Sequence, residues 1–317
     1  MAINKVVKAA LKAISYNDID VKKNYLLHRN LVNLAHRHYF KPFYNTWDCA
    51  VGSDNHSIPV RIYSPEEEGE YPVLLFFHGG GWVTGNIDSY SKVCANMAKK
   101  TNHKVVSVDY RLAPEHPFPA GLEDCYEVAK AFILNKEIND KEVTIIGDSA
   151  GGNLAAALSL LARERKEFKV KRQILIYPAT YNDYSETSPF QSVHENGTEY
   201  LLTAKRISDY MELYKSKDED IYNQYFAPIF ADDLTNQPDT LIITAEFCPL
   251  RDEGEKYGKL LREAGNNVEI FRVKDSLHGF FTLPPRFPQV KLCYDIINSF
   301  LSNTRWNFEK QKSIRME

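Results

Sequence analysis

The stretch Gly147-Asp148-Ser149-Ala150-Gly151-Gly152 joins a β-branched run, Val143-Thr144-Ile145-Ile146, to an Ala/Leu-rich helix former, Asn153 to Leu161. A strand, a very tight turn and a helix, with a serine at the tip, constrain the fold more than any other feature of the chain. A free serine hydroxyl is a poor nucleophile. A sharp strand-to-helix corner lifts Oγ above the sheet edge, where a histidine can reach it and the next backbone N–H can face a developing oxyanion. Glycines must flank such a corner, because a Cβ there would strike the neighbouring strand or helix. The blander reading is a glycine-rich turn or phosphate loop, and two further segments argue against it.

Upstream, Tyr71-Pro72-Val73-Leu74-Leu75-Phe76-Phe77 reads as a buried strand that runs into His78-Gly79-Gly80-Gly81-Trp82. Three consecutive glycines are entropically unfavourable. They make sense where backbone N–H groups must come within about 3 Å of a charge with no side chain in the way. This HGGG pattern resembles one half of an α/β-hydrolase oxyanion site. Near the C-terminus, Leu277-His278-Gly279-Phe280 follows a strand expected over residues 268–273. His278 falls about 130 residues after Ser149, as the base does in the chain order nucleophile, acid, histidine.

Between these signals, strand and helix patterns alternate. Residues 46–53 and 57–63 read as an antiparallel pair around Asp54-Asn55. Then come strand 71–77, helix 89–101, strand 104–109, helix 121–135, strand 143–147, helix 150–166 and strand 172–177. That rhythm predicts a parallel sheet with helices on both faces. It breaks from Tyr181 to about Asp233, where one helix is expected over 203–215. It resumes with strand 240–245, helix 250–264, strand 268–273 and helix 289–301.

Composition narrows the setting. A length of 317 residues fits one large α/β domain with an added lid. The net charge of −3 offers no global basic field for nucleic acid. Five cysteines (Cys49, Cys94, Cys125, Cys248 and Cys293) are odd in number and unclustered, and read as reduced thiols in a cytoplasmic protein. No run of 18 apolar residues predicts a spanning helix. Ile3, Val6, Val7, Ala10, Leu11 and Ile14 form an apolar stripe at helical spacing, and Lys5, Lys8 and Lys12 keep it from being a signal peptide. The stripe reads as a lid helix packed on the protein in preference to one lying on a membrane. The following segment carries His28, Arg29, His36, Arg37 and His38, and reads as a solvated face.

Five segments together resemble the hormone-sensitive-lipase-like esterases, the bacterial family IV branch of the α/β-hydrolases. They are His78 to Trp82, Asp109-Tyr110-Arg111-Leu112-Ala113-Pro114-Glu115, Gly147 to Asn153, Pro249-Leu250-Arg251-Asp252-Glu253-Gly254 and Leu277 to Phe280. The resemblance implies an α/β-hydrolase: a mostly parallel central sheet, helices on both faces, and a helical cap. The implied division is N-terminal cap helices over 1–45, a core over 46–180 and 234–304, a cap insertion over 181–233 and a polar tail over 305–317. It also implies Ser149 as nucleophile, His278 as general base, and the N–H groups of Gly80, Gly81 and Ala150 as oxyanion hole. His78, Trp82, Tyr181 and Tyr184 are candidate pocket residues.

One position departs from the family. An Asp-Pro-Leu-x-Asp motif supplies the triad acid there, and here Cys248 stands at its first aspartate. A thiol is mostly neutral near pH 7 and accepts hydrogen bonds weakly. Two carboxylates lie close in sequence. Asp252, four residues on, shares a helix face with Cys248 if Pro249 opens the helix. Glu246 has the longer side chain. A water-mediated or absent acid is the third alternative.

The expected activity is hydrolysis of short-chain carboxylic esters with no cofactor or metal, on a small-molecule ester, with no nucleic-acid partner and no stable membrane insertion. A homodimer is compatible with all of this. The alternatives are a ligand-binding protein on a catalytically weakened scaffold, favoured by Cys248, and a small-amide hydrolase.

Overall fold

The computed structural model describes residues 20–36, 45–52, 56–65, 69–135 and 143–304. The Ile3–Ile14 stripe, Arg37 and His38, the Asp54-Asn55 turn, the acidic residues 66–68 and the tail from 305 lie outside them.

Eight described strands form one sheet: β1 (Thr46–Gly52), β2 (Ser57–Tyr63), β3 (Val73–Phe77), β4 (Lys104–Val108), β5 (Val143–Asp148), β6 (Arg172–Ile176), β7 (Asp239–Phe247) and β8 (Val268–Leu277). Their spatial order is β1-β2-β4-β3-β5-β6-β7-β8. The β1/β2 and β2/β4 pairs are antiparallel, and every later pair is parallel. The helices are α1 (Val21–His36), α2 (Ser91–Thr101), α3 (Ala120–Leu134), α4 (Ala150–Arg165), α5 (Gln191–Asn196), α6 (Ala204–Tyr214), α7 (Arg251–Glu263) and α8 (Pro288–Leu301).

Sequence explains the layering. All residues of β3, β5 and β6 are buried, as strands covered by helices on both faces must be. That is why none of them alternates apolar and polar residues, although Thr144 and Asp148 of β5 and Arg172 and Gln173 of β6 are polar. β1 is an antiparallel edge strand and is largely exposed. α4 runs through the middle of the protein, with every residue from Ala150 to Ala162 buried. Its alanines let it lie close against the sheet.

Two registers place the chemistry. Phe77 of β3 pairs with Gly147 of β5, so the glycine loop leaves the sheet beside the serine corner. Phe247 of β7 pairs with Leu277 of β8 across an irregularity between Ala245 and Phe247. Cys248 and His278 therefore leave the sheet side by side. Both strands run further than the apolar pattern predicts, to 247 and 277 instead of 245 and 273. The polar Lys274 and Asp275, exposed on this edge strand, and the buried Ser276 concealed the extension.

Candidate active site

The serine corner is sterically over-determined. Ser149 sits at φ 56°, ψ −119° between β5 and α4. A non-glycine residue tolerates such a conformation only where its surroundings impose it. A Cβ on Gly147 would lie 2.2 Å from the Gly151 carbonyl oxygen, and one on Gly151 only 1.9 Å from that of Phe77. Strand, helix and neighbouring strand thus meet at van der Waals contact, and the chain turns with the Ser149 side chain outward. The Ser149 N–H donates to the Ile176 carbonyl at 2.9 Å, tying the corner to β6.

The glycine loop is aimed by its carbonyls. His78, fully buried and stacked 4.3 Å from Tyr110, donates from Nδ1 to the Gly79 carbonyl at 2.8 Å. Burial pushes its pKa down to about 4, so the ring is neutral and holds one fixed tautomer. The Gly80 carbonyl accepts from the Thr84 N–H at 2.9 Å and the Thr84 hydroxyl at 3.0 Å. In a trans peptide the N–H points opposite to the preceding C=O. Fixing the Gly79 and Gly80 carbonyls therefore turns the Gly80 and Gly81 N–H groups the other way. The Ala150 N–H, in the first turn of α4, is one a helix cannot satisfy internally. Asp148 ties loop to corner: it accepts from the Gly79 N–H at 2.9 Å and the Tyr90 hydroxyl at 3.1 Å. Burial raises its carboxyl to about 7 despite these bonds.

His278 completes the array. Its Nε2 lies 2.9 Å from Ser149 Oγ, across 129 residues of chain. Its Nδ1 lies 3.1 Å from Cys248 Sγ. Both carboxylates weighed for the acid role are engaged elsewhere. Asp252 accepts from the Ser192 N–H at 2.7 Å and from Arg251 Nε at 2.8 Å. Glu246 accepts from the Asp275 N–H at 2.7 Å. The reading of Asp252 as acid is corrected by helix geometry. α7 starts at Arg251, three residues after Cys248, so the two side chains are not successive rungs of one helix. The Asp252 carboxylate faces α5 instead.

A cavity of about 290 Å³ opens over these groups. Ser149, His278, Gly80, Gly81 and Ala150 form its floor; Val32, Leu201, Leu202, Ile207 and Leu250 give an apolar wall, and His28, Arg206 and Tyr210 a polar one. Of the four candidate pocket residues, only Trp82 lines it. His78 lies behind the glycine loop. Tyr181 packs edge-on against Phe190 at 4.9 Å, and Tyr184 donates to buried Glu253 at 2.8 Å. The reading of the His28 group as a solvated face is also corrected at its first member: His28 Nε2 lies 2.7 Å from the Tyr210 hydroxyl. The neighbouring Arg29 donates to the Val83 and Ala113 carbonyls and to Glu115, which latches α1 onto the glycine loop. The Val32/His28 spacing at one helical turn carried the signal, but its partner Tyr210 stands 182 residues away.

A doubly wound sheet with a strained serine corner, an opposed imidazole and a glycine loop defines the α/β-hydrolases, and residues 74–282 match the family described as the alpha/beta hydrolase fold. The chain belongs to that family. Several of its relatives are esterases. It is 35% identical over 253 residues to an arylesterase of Saccharolobus solfataricus, covering 78% of this chain and 81% of that protein. It is 32% identical over 237 residues to an ethyl acetate hydrolase of Pseudomonas putida, covering 73% of each. The solved hyperthermophilic esterase of Pyrobaculum calidifontis superposes with a TM-score of 0.81 at 35% identity, over 95% of this chain and 99% of that one. The protein is an esterase of the hormone-sensitive-lipase-like branch. Among the described residues no helix is long and apolar enough to cross a membrane.

Proposed function

We propose that the protein hydrolyses short-chain carboxylic esters, with Ser149 as nucleophile and His278 as general base. The observation that carries the reading is the 2.9 Å contact between His278 Nε2 and Ser149 Oγ at a strained corner facing the glycine loop. Ser149 Oγ attacks the acyl carbon while Nε2 takes its proton. The N–H groups of Gly80, Gly81 and Ala150 receive the charge that builds on the carbonyl oxygen. The proton then passes to the leaving alcohol, and water repeats the sequence on the acyl-enzyme. A cavity of about 290 Å³ suits a small acyl group and a modest alcohol. The ethyl acetate hydrolase and arylesterase among the relatives favour the same size of substrate.

The test is hydrolysis of p-nitrophenyl acetate and butyrate by Ser149→Ala. The expected loss in kcat is about 10⁴-fold or more, by analogy with nucleophile removal in other serine hydrolases. An unchanged rate would overturn the nucleophile assignment. A matched ester and anilide pair separates esterase from amidase use of the same serine, and the ester is expected to react faster.

A further inference from the structure

The imidazole that activates the serine has sulfur where a carboxylate would be expected. Nδ1 of His278 meets Cys248 Sγ at 3.1 Å and Nε2 meets Ser149 Oγ at 2.9 Å. These are the ring's two hydrogen-bond partners among the described residues. Cys248 is fully buried, at the end of β7. The ionisable groups around the pair come from every neighbouring element, and each is committed elsewhere. Asp148, the last residue of β5, accepts from Gly79 and Tyr90. Tyr177, after β6, has its ring 4.7 Å from that of His278, with its hydroxyl directed to Asp148 at 3.4 Å. Glu253, on α7, accepts from the Thr180 N–H and the Tyr184 hydroxyl. Arg251 is held by Asp252, Glu195 and the Glu246 carbonyl. Glu246, on β7, accepts from Asp275.

We propose that Cys248 is a positioning residue that serves His278 as an uncharged partner, so that the proton taken from Ser149 rests on an imidazolium with no counter-charge at Nδ1. This inference rests on the serine-esterase reading above. The balance is simple. The Ser149 O–H bond breaks, the Nε2–H bond forms, the Nδ1–H stays donated to sulfur, and the thiol keeps its own hydrogen throughout.

Two consequences separate a thiol from a carboxylate here. A carboxylate only accepts, so it admits one tautomer of the ring. A thiol also donates, weakly. It therefore admits the opposite tautomer, in which S–H points at Nδ1 and Nε2 carries a hydrogen toward Ser149. That form cannot take the serine proton. In addition, nothing holds the imidazolium once formed. Burial alone depresses His278, down to about 3, with no neighbouring anion to offset it. Burial likewise pushes the Cys248 thiol up, so it does not supply the missing charge. The enzyme is then slower than a carboxylate-supported one, and its base stays unprotonated, hence usable, at lower pH.

The experiment measures kcat/KM for ethyl acetate against pH, by product chromatography, for wild type, Cys248→Asp, Cys248→Ser and Cys248→Ala. A fluorophosphonate probe reports in each case whether Ser149 remains folded and reactive. The wild-type acid limb is expected well below the ordinary histidine value of about 6.5. Cys248→Asp should raise that limb by at least about one pH unit and raise kcat/KM near neutrality about 10- to 100-fold, within the roughly 10⁴-fold attributed to a triad acid. Cys248→Ser, still uncharged, should leave the limb in place, and Cys248→Ala should lose about tenfold with the limb also in place. A probe-labelled Cys248→Asp whose limb does not move overturns the proposal, and so does a Cys248→Ala that matches wild type in rate. If Cys248→Asp does not fold, the alanine and serine variants decide. A wild-type enzyme that fails to label at Ser149 sinks the esterase mechanism itself, which is distinguishable from either result.

Discussion

The candidate active site has two corners built on different principles. At the serine corner, backbone atoms fix everything: Gly147 and Gly151 allow contacts no side chain would permit, and carbonyl hydrogen bonds aim the glycine loop. At the Cys248/His278 corner, position comes from strand pairing of Phe247 with Leu277, and chemistry from whichever side chain follows. The first corner tolerates almost no substitution. At the second, a thiol stands where the family resemblance implies a carboxylate, and its Sγ lies 3.1 Å from Nδ1. A site can therefore keep its architecture while one member changes its charge.

The largest expected effect tests the first half of that contrast. Gly151→Ala would bring a methyl group within 1.9 Å of the Phe77 carbonyl oxygen, and neither backbone can readily yield, because Phe77 is paired with Gly147 of β5 and Gly151 lies in the buried first turn of α4. We expect a loss of more than about 4 kcal/mol and little folded protein, whereas Cys248→Ala, which only removes a sulfur atom, stays folded. Urea denaturation measures both. A stable Gly151→Ala would show that the corner is less tightly built than its contacts indicate.

This steric rigidity is also why that corner was legible in the sequence. G-x-S-x-G and HGGG have few other physical uses, and buried parallel strands announce themselves as apolar runs. The sheet, its helices, Ser149 and His278 could all be placed from such local patterns. The remainder depended on contacts that local pattern does not encode. Asp252 and Glu246 differ from Cys248 by direction more than by distance along the chain, and direction depended on where β7 ended. His28 resembled a solvated histidine because its partner, Tyr210, lies on a helix far along the chain. Tyr181 and Tyr184 were recognisable as buried aromatics, but nothing local told which side of the wall they occupied.

Each corner also contains one buried carboxyl with a raised pKa, and the two should differ in the pH window they control. Burial lifts Asp148 from 3.8 to about 7 and Glu253 from 4.5 to about 8. A raised folded-state pKa means the native protein holds a proton that the unfolded chain releases. The associated stability is full below the unfolded value and is lost as pH rises through the folded one. Wild-type stability should therefore fall between about pH 4 and 8 through these two groups. Glu253→Gln should flatten the part of the slope that extends to pH 8, and Asp148→Asn the part that ends near 7. Urea midpoints at pH 5, 6.5 and 8 measure this. The buried, depressed histidines His78 and His278 add a slope of opposite sign below about pH 6.5, so the difference between each variant and wild type is what is read. A pH dependence that neither variant changes would mean that these carboxyls are charged in the native state.

The smallest expected effect bears most directly on the second corner. If sulfur is the partner of His278, the nearby carboxylates are structural, and removing their charge should leave catalysis almost untouched. Asp252→Asn keeps an oxygen that can accept from the Ser192 N–H and loses the charge facing Arg251. The ion pair is partly exposed, so the stability loss should be about 1 kcal/mol or less. Glu246→Gln keeps an acceptor for the Asp275 N–H at an exposed position and should change stability less still. For both, kcat/KM is expected within about threefold of wild type across the pH profile, since neither group touches the ring. A fall of about 10³-fold in either variant, with the protein still folded, would mean that the carboxylate swings onto Nδ1 during turnover. The exchange of charge for neutrality would then be confined to the resting enzyme. The same assay on the double variant settles whether the two can replace one another, because each single variant leaves the other carboxylate in place.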